Sequence, residues 1–207
     1  MSLYQVMTKR SLTYFSLAMV ISCLWGCASK SAYVDPAGPN TAVNVGQINV
    51  QDFAVAADTF VQDILGRVGS GQLTSSEAGK PAIMAISRIT NKTLNHIDID
   101  QLVKKIRVEL NRSGKILTTT TVAYGGAEDP LAKEVQETLA LSGQGVVNRL
   151  PDYTLSGAIL AQEARKSRLT TQASYIFQLS LTDRSGIAVW ESEYIVTKQG
   201  RKSAVTW

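Results

Sequence analysis

Two cysteines and a single histidine are the side chains in this sequence that are best suited to chemistry. Cys23 and Cys27 lie four positions apart, and His96 is distant from both along the chain. A disulfide between the two cysteines would stabilise the fold little, because the loop that it closes is so short. A zinc site needs about four ligands, more than these three side chains supply. We therefore expect neither a metal nor another cofactor.

The cysteines end an uncharged run that is typical of an export signal. Lys9 and Arg10 precede residues 11–26, which carry no charge and are shorter than the stretch of about 20 apolar residues that a spanning helix needs. The sequence LWGC, which ends at Cys27, resembles a bacterial lipobox, and so does VISC, which ends at Cys23. Cleavage before Cys23 would leave Cys27 as a lone thiol in an oxidising compartment. We therefore expect lipid attachment at Cys27, with Cys23 as the second choice.

Length and charge fit one domain behind such a signal. The chain has 207 residues, of which 44% are hydrophobic and 18% charged, and its net charge is +4. Without the two basic residues of the signal, 19 of the 21 basic residues remain against 17 acidic ones. A nearly balanced chain is not typical of a nucleic-acid-binding protein. We expect a lipoprotein signal peptide at 1–26, a flexible linker at 27–47 and a single domain at 48–207.

Hydrophobic spacing predicts that helices and strands alternate at the start of the domain. Apolar residues recur every three or four positions over 49–68, which predicts a first helix that either packs on the domain or lies at its periphery. An unbroken apolar run at 81–89 predicts a central strand. The Thr-rich run at 115–123 predicts a second strand.

Capping residues place two further helices. Asp98 is suited to start one, and Gly114 is suited to end it. Asp129 and Pro130 have the order expected of a cap and a first helical position. The apolar face of that third helix should consist of Leu131, Val135 and Leu139.

The sequence pattern in the last third of the domain predicts strands only. Apolar and polar residues alternate at 152–162, 170–183 and 187–199, and a hairpin turn that ends at Gly186 joins the last two runs. Together the elements predict an α+β fold. We expect one mixed sheet of about five strands, with helices packed on one face and an antiparallel meander at the C-terminal end.

No catalytic set is found in the rest of the sequence. Nucleophile-elbow, Walker and dinucleotide-binding motifs are absent, and so is a cluster with metal-ligand spacing. His96 lies next to a helix cap, as expected of a surface or capping side chain. Glu128 and Asp129 are adjacent, so we expect a turn before a capped helix there and no facing acid–base pair. We expect that the protein is not an enzyme.

Three groups of basic side chains either form a cationic surface or are simply solvated. Arg165, Lys166 and Arg168 fall in the turn between two predicted strands. The other two groups lie on the second helix and in the tail: Lys104, Lys105, Arg107, Lys198, Arg201 and Lys202. Outside the cytoplasm, such a surface would favour an acidic protein partner or an anionic polymer such as peptidoglycan.

Several segments resemble one protein family. The run ISRITNKTLNHIDIDQLVKKIRVELNRSGKI resembles the strand, Asn-x-Thr loop and helix of the LpoB family, the lipoprotein activators of class A penicillin-binding proteins. DYTLSGAI and YIFQLSLTDRSGIAVWE extend the resemblance over roughly residues 81–198. It implies a domain similar to the N-terminal domain of TolB. It also implies a lipid anchor in the outer membrane, a domain that faces the periplasm, and docking on a bifunctional peptidoglycan synthase that is thereby stimulated.

We expect a synthase to contact two places on the domain. One is the loop with Asn91 and Thr93, and the other is the basic turn with Arg165, Lys166 and Arg168. The alternative function is that of a lipoprotein component in an envelope assembly or secretion complex, since TolB-like and CsgG-type domains share the general pattern. The linker before the first helix has about 20 residues, so its extended reach is at most roughly 70 Å.

Overall fold

The computed structural model describes residues 33–35, 38, 43–143, 149–165, 167 and 170–201. Three helices and five strands follow one another there in the order α1, β1, α2, β2, α3, β3, β4 and β5. The helices are α1 (Val50–Gly69), α2 (Ile99–Ser113) and α3 (Pro130–Leu141). The strands are β1 (Ala82–Asn91), β2 (Ile116–Ala123), β3 (Tyr153–Arg165), β4 (Thr170–Asp183) and β5 (Ala188–Arg201).

The caps predicted for α2 and α3 are confirmed. The Asp98 carboxylate accepts a hydrogen bond from the backbone N–H of Asp100 at 3.1 Å. Gly114 ends α2 with a φ of 66°, a left-handed conformation that glycine adopts without the steric cost of a Cβ. The Asp129 carboxylate accepts from the N–H of Ala132 at 3.0 Å. Both helices therefore start where a side-chain oxygen satisfies an otherwise unpaired donor.

The five strands form one mixed sheet in the order β2-β1-β3-β4-β5. β1 is parallel to both of its neighbours, whereas β3, β4 and β5 are antiparallel to one another. α2 connects β1 to β2 and α3 lies between β2 and β3 in the chain, as connections between parallel strands require. This arrangement confirms the predicted α+β fold with its C-terminal antiparallel meander.

The core lies between the sheet and the pair α1 and α2. Phe53 and Phe60 of α1 are buried and contact Phe177 of β4 and Trp190 of β5 edge-on, with ring centres 6.0 and 6.2 Å apart. α2 adds three fully buried side chains, Leu102, Ile106 and Leu110. Alternate residues of β4 complete this layer: Ala173, Tyr175, Phe177, Leu179 and Leu181.

α3 differs from the other helices because none of its residues is buried. Leu131 and Val135, two residues of the apolar face expected for this helix, are exposed. Among the described residues, the helix lies beside β2, the edge strand of the sheet. The apolar face of this helix is thus open to solvent and does not belong to the core.

Gly157 of β3 lies against the backbone of β4. A Cβ at this position would lie 2.6 Å from Cδ2 of Leu179 and would overlap the backbone oxygen of Gln178. Only glycine therefore fits at this point of the sheet without a shift of β4.

The sheet gathers several loops at one end. Because β1, β2 and β3 are parallel, the loops that leave them lie at the same end of the sheet, which we call the carboxyl end. Thr170 of β4 pairs with Arg201 of β5, so the β3–β4 turn and the end of β5 are also found there.

Candidate partner-binding site

The loop that follows β1, residues 92–98, is shaped by the two side chains that sequence analysis placed in the interface. The Asn91 side-chain oxygen accepts from the N–H of Thr93 at 2.8 Å and from its hydroxyl at 2.7 Å. The Asn91 amide donates to the carbonyl of Asn95 at 2.8 Å. Side chains of this type commonly bond the backbone two residues further on, which creates a tight local turn. Asn91 and Thr93 thus lie together and organise the 92–98 loop.

This loop presents other side chains to solvent. Asn91 and Thr93 are half-buried, whereas Leu94 is fully exposed and His96 is exposed. A fully exposed leucine on a loop held by side-chain hydrogen bonds is a preorganised apolar contact. Leu94 is therefore the apolar side chain of this loop that is most open to solvent.

The basic turn is only partly described. Arg165 is the last residue of β3 and pairs with Thr171, but its side chain lies outside the described residues, as do Lys166 and Arg168. Asn91 pairs with Ile159 of β3, six positions before Arg165, which corresponds to about 20 Å along the strand. Asn91 and the end of β3 at Arg165 thus lie toward the same end of the sheet but are not adjacent.

Two of the basic residues assigned to a possible cationic surface are buried. Lys198 forms an ion pair with Asp52, and its Nζ lies 5.7 Å from the ring centre of Tyr175. Arg107 forms an ion pair with Glu128 and donates from Nε to the hydroxyl of Thr118 at 3.2 Å. Burial lowers the pKa of Arg107 from its ordinary value. These two cations hold elements of the fold together and are not available to a partner.

A short segment before α1 is fastened to the carboxyl end of the sheet. We call residues 44–48 the strap. Three consecutive strap carbonyls accept hydrogen bonds from side chains of three different elements: Val45 from Tyr175 at 3.3 Å, Gly46 from Asn95 at 2.7 Å and Gln47 from Lys198 at 2.9 Å. Val45 and Ile48 also pack against the core. Asn95 belongs to the 92–98 loop, so the strap and this loop share a hydrogen bond.

Tyr175 stays a donor to the strap over a wide pH range. Burial raises the pKa of its hydroxyl, and the charges of Glu163 and Asp52 raise it further. Sequence analysis assigned no role to Asn95 or Tyr175, and it grouped Lys198 with a possible cationic surface. The sequence does contain a signal that Lys198 is buried, because it is an even number of positions from the core-facing Trp190 in β5 and therefore shares its face.

The carboxyl groups with shifted pKa values have structural explanations. The pKa of Glu77 is lowered by its hydrogen bond with Lys80, and that of Asp183 by hydrogen bonds within the β4–β5 turn. Burial of Asp152 opposes its ionisation, but hydrogen bonds from Ser76 and the N–H of Ile83 lower its pKa nevertheless. Each of these carboxyl groups is thus held in its ionised form by local bonding.

The described residues contain no group of three or more His, Cys, Asp or Glu side chains that could hold a metal ion. Within that same part of the chain, no helix has the length and apolar character that crossing a bilayer requires. Cys23 and Cys27 lie outside the described residues.

Three solved structures are similar to this chain at low sequence identity. The LpoB C-terminal domain from Salmonella enterica is 12% identical over 70% of this chain and 98% of its own, with a TM-score of 0.42. That from Escherichia coli is 13% identical over the same shares, with a TM-score of 0.41. Lipoprotein GNA1162 from Neisseria meningitidis is 14% identical over 59% of this chain and 88% of its own, with a TM-score of 0.37. Similarity at this level does not by itself assign a family or a function to the chain.

The family follows from the sequence. No curated protein matches the chain. The model of the family described as peptidoglycan-synthase activator LpoB matches residues 52–196, which is more than half of the 207-residue chain. The match runs from the first turn of α1 into β5 and so includes four complete strands and part of the fifth. The chain belongs to the LpoB family of peptidoglycan-synthase activators.

Proposed function

We propose that this protein is a non-enzymatic lipoprotein that binds a bifunctional peptidoglycan synthase, a class A penicillin-binding protein, and stimulates it. The observation that carries the proposal is the family match over residues 52–196. The 92–98 loop supports it, because a preformed loop with an exposed leucine suits a binding module.

The activator works by shifting the population of the synthase. A ligand moves an equilibrium between two conformations only as far as it binds one of them more tightly. The 92–98 loop, shaped by Asn91 and Thr93, contacts the active conformation of the synthase more strongly than the inactive one. The basic turn with Arg165, Lys166 and Arg168 contributes electrostatic attraction to an acidic surface of the synthase, which raises the association rate most at low salt.

The protein is held in the outer membrane by lipid on Cys27, with its domain in the periplasm. Because the strap is fastened to the domain, the reach of the anchor is set by the length of chain between Cys27 and Asn44. A tether of 17 residues spans at most roughly 60 Å when fully extended. Mass spectrometry of the N-terminal peptide of the mature protein tests the anchor: lipid should be found on Cys27 and not on Cys23.

A reconstituted assay tests the function. The purified chain is mixed with each class A synthase of its host, and glycan polymerisation and peptide crosslinking are measured together with a pull-down. We expect one synthase to be retained and both of its activities to rise. Absence of binding and of stimulation with every synthase would contradict the proposal and would favour a role in an envelope assembly complex.

Charge reversal locates the electrostatic contact. Changing Arg165, Lys166 and Arg168 to Glu should weaken synthase binding and reduce its salt dependence. The matched control reverses three cations at the opposite end of the sheet: Lys80, Arg112 and Lys115. Equal binding by both triple variants would remove the basic turn from the interface.

A further inference from the structure

A pocket opens between α2, the end of β1 and the loop that follows β2. It has a volume of about 740 Å³, within the range of roughly 300–1,000 Å³ in which proteins bind small ligands or a few side chains. Its apolar wall includes Ile86 and Ile89 of β1 and Val103 of α2. This pocket, which we call the β1–α2 pocket, does not include the residues of the 92–98 loop.

The pocket exists because β2 leaves β1 before the two strands end. Their pairing is regular up to Met84 and Thr118, and it resumes only at Ile86 and Ala123. Five positions of β2 thus correspond to two positions of β1, so the end of β2 bows away from the sheet. The chain then turns through Gly125 and Gly126, whose φ angles of 87° and 123° favour glycine.

The lining of the pocket carries more positive than negative side chains. Its lining contains three cations, Arg88, Lys104 and Arg107, and two carboxylates, Asp100 and Glu128. Glu128 is engaged by Arg107 and lies 3.6 Å from Lys104, so its charge is neutralised within the protein. Lys104 and Arg107 thus share Glu128. Arg88 is the third cation of the lining, and among the described residues it has no such carboxylate neighbour.

Arg88 is prepared to bind an anion. Its guanidinium carbon lies 5.2 Å from the ring centre of Tyr124, an exposed aromatic side chain. This cation–π contact orients the guanidinium plane while leaving its edges open. Among the described residues, no carboxylate forms an ion pair with Arg88. A guanidinium edge of this kind matches the two oxygens of a carboxylate.

We propose that the β1–α2 pocket binds a partner-protein segment in which a carboxylate side chain neighbours an apolar one. The carboxylate pairs with Arg88, and the apolar side chain enters the space between Ile86, Ile89 and Val103. The excess positive charge favours an acidic segment, and the apolar wall distinguishes it from a simple anion. The inference rests on the proposed function only in taking the ligand to be part of a protein partner.

NMR titration of the full-length chain in detergent micelles tests the proposal. The probe is the tripeptide Glu-Leu-Glu, acetylated and amidated at its ends. We expect it to shift the amide signals of Gly125 and Gly126 and the Nε signal of Arg88. The peptides Gln-Leu-Gln and Glu-Gly-Glu, which lack the charge and the apolar side chain respectively, should bind at least about tenfold more weakly. Inorganic phosphate should not compete at equal concentration.

Two variants sharpen the test. Arg88→Gln should weaken Glu-Leu-Glu binding at least about tenfold, since a charge-assisted bidentate pair is lost. Arg112→Gln removes an exposed arginine of α2 that is outside the pocket and should leave binding unchanged. Equal binding of the three peptides, equal binding by Arg88→Gln, or shifts that avoid the glycines would overturn the proposal.

The synthase assay keeps this inference separate from the proposed function. If the peptides do not bind but the chain still stimulates a synthase, the pocket proposal fails and the proposed function stands. If the peptides bind as expected but no synthase is bound or stimulated, the proposed function fails and the pocket still binds an acidic segment of some other partner.

Discussion

The ion pair between Lys198 and Asp52 gives the sharpest stability prediction. Both side chains are buried, and Lys198 also donates to the strap carbonyl of Gln47 at 2.9 Å. Replacing Lys198 with Met keeps the length of the side chain but removes its charge and donors. The Asp52 carboxylate then remains buried with one described donor, the N–H of Asn49 at 2.6 Å.

The expected loss of unfolding free energy follows from the Asp52 carboxylate, which Lys198→Met leaves without its cation. Removal of one partner from a buried ion pair costs about 3–5 kcal/mol, because the other charge has been taken out of water without compensation. The remaining bond from Asn49 places Lys198→Met at the lower end, about 3 kcal/mol. For a domain of this size, that loss lowers the melting temperature by about 6–12 °C.

Urea unfolding followed by circular dichroism measures this loss. Lys115→Met, which changes an exposed lysine, should cost less than about 0.5 kcal/mol. In the double variant with Asp52→Asn, the buried charge is absent, so the total cost should be at least about 1.5 kcal/mol smaller than the sum of the two single costs. A cost below about 1 kcal/mol for Lys198→Met, or strict additivity in the double variant, would refute the reasoning.

Three further predictions concern pH, packing and the loop. The lowered pKa of Asp152 contributes stability that is complete above its unfolded pKa of about 4 and is lost as the pH falls through the folded value, so Asp152→Asn should flatten the acid limb of a stability–pH curve. Gly157→Ala should cost about 3 kcal/mol in urea unfolding, because the new methyl meets Leu179 and the β4 backbone; an unchanged midpoint would contradict this packing. Asn91→Ala should cost about 1–2 kcal/mol and reduce synthase stimulation, whereas Thr93→Ser, which keeps the hydroxyl, should do neither; full stimulation by Asn91→Ala would remove the loop from the interface.

The elements of the fold could be predicted from local patterns. Asp98, Gly114 and Asp129 mark helix ends through hydrogen bonds within a few residues, so neighbouring sequence contains the necessary information. The alternation over β4 likewise showed which side chains face the helices. The exposure of α3 has a tertiary origin, since the sequence near Leu131 does not show which other elements pack on this helix.

The site was predicted less completely because its contacts join distant parts of the chain. Lys198 and Asp52 are 146 positions apart, and Tyr175 is 130 positions from its acceptor at Val45. A basic side chain near the end of a strand is usually solvated, which is why Lys198 was grouped with a possible cationic surface. The β1–α2 pocket depends on an irregular pairing of β1 with β2 that composition and periodicity do not reveal.

Stimulation of a purified class A synthase by the purified chain tests the central claim most directly. The account predicts that glycan polymerisation by one synthase of the host rises when the chain is added, that the rise saturates as binding does, and that Asn91→Ala weakens it. A chain that is folded by circular dichroism but leaves every class A synthase of its host at its basal rate would contradict the account.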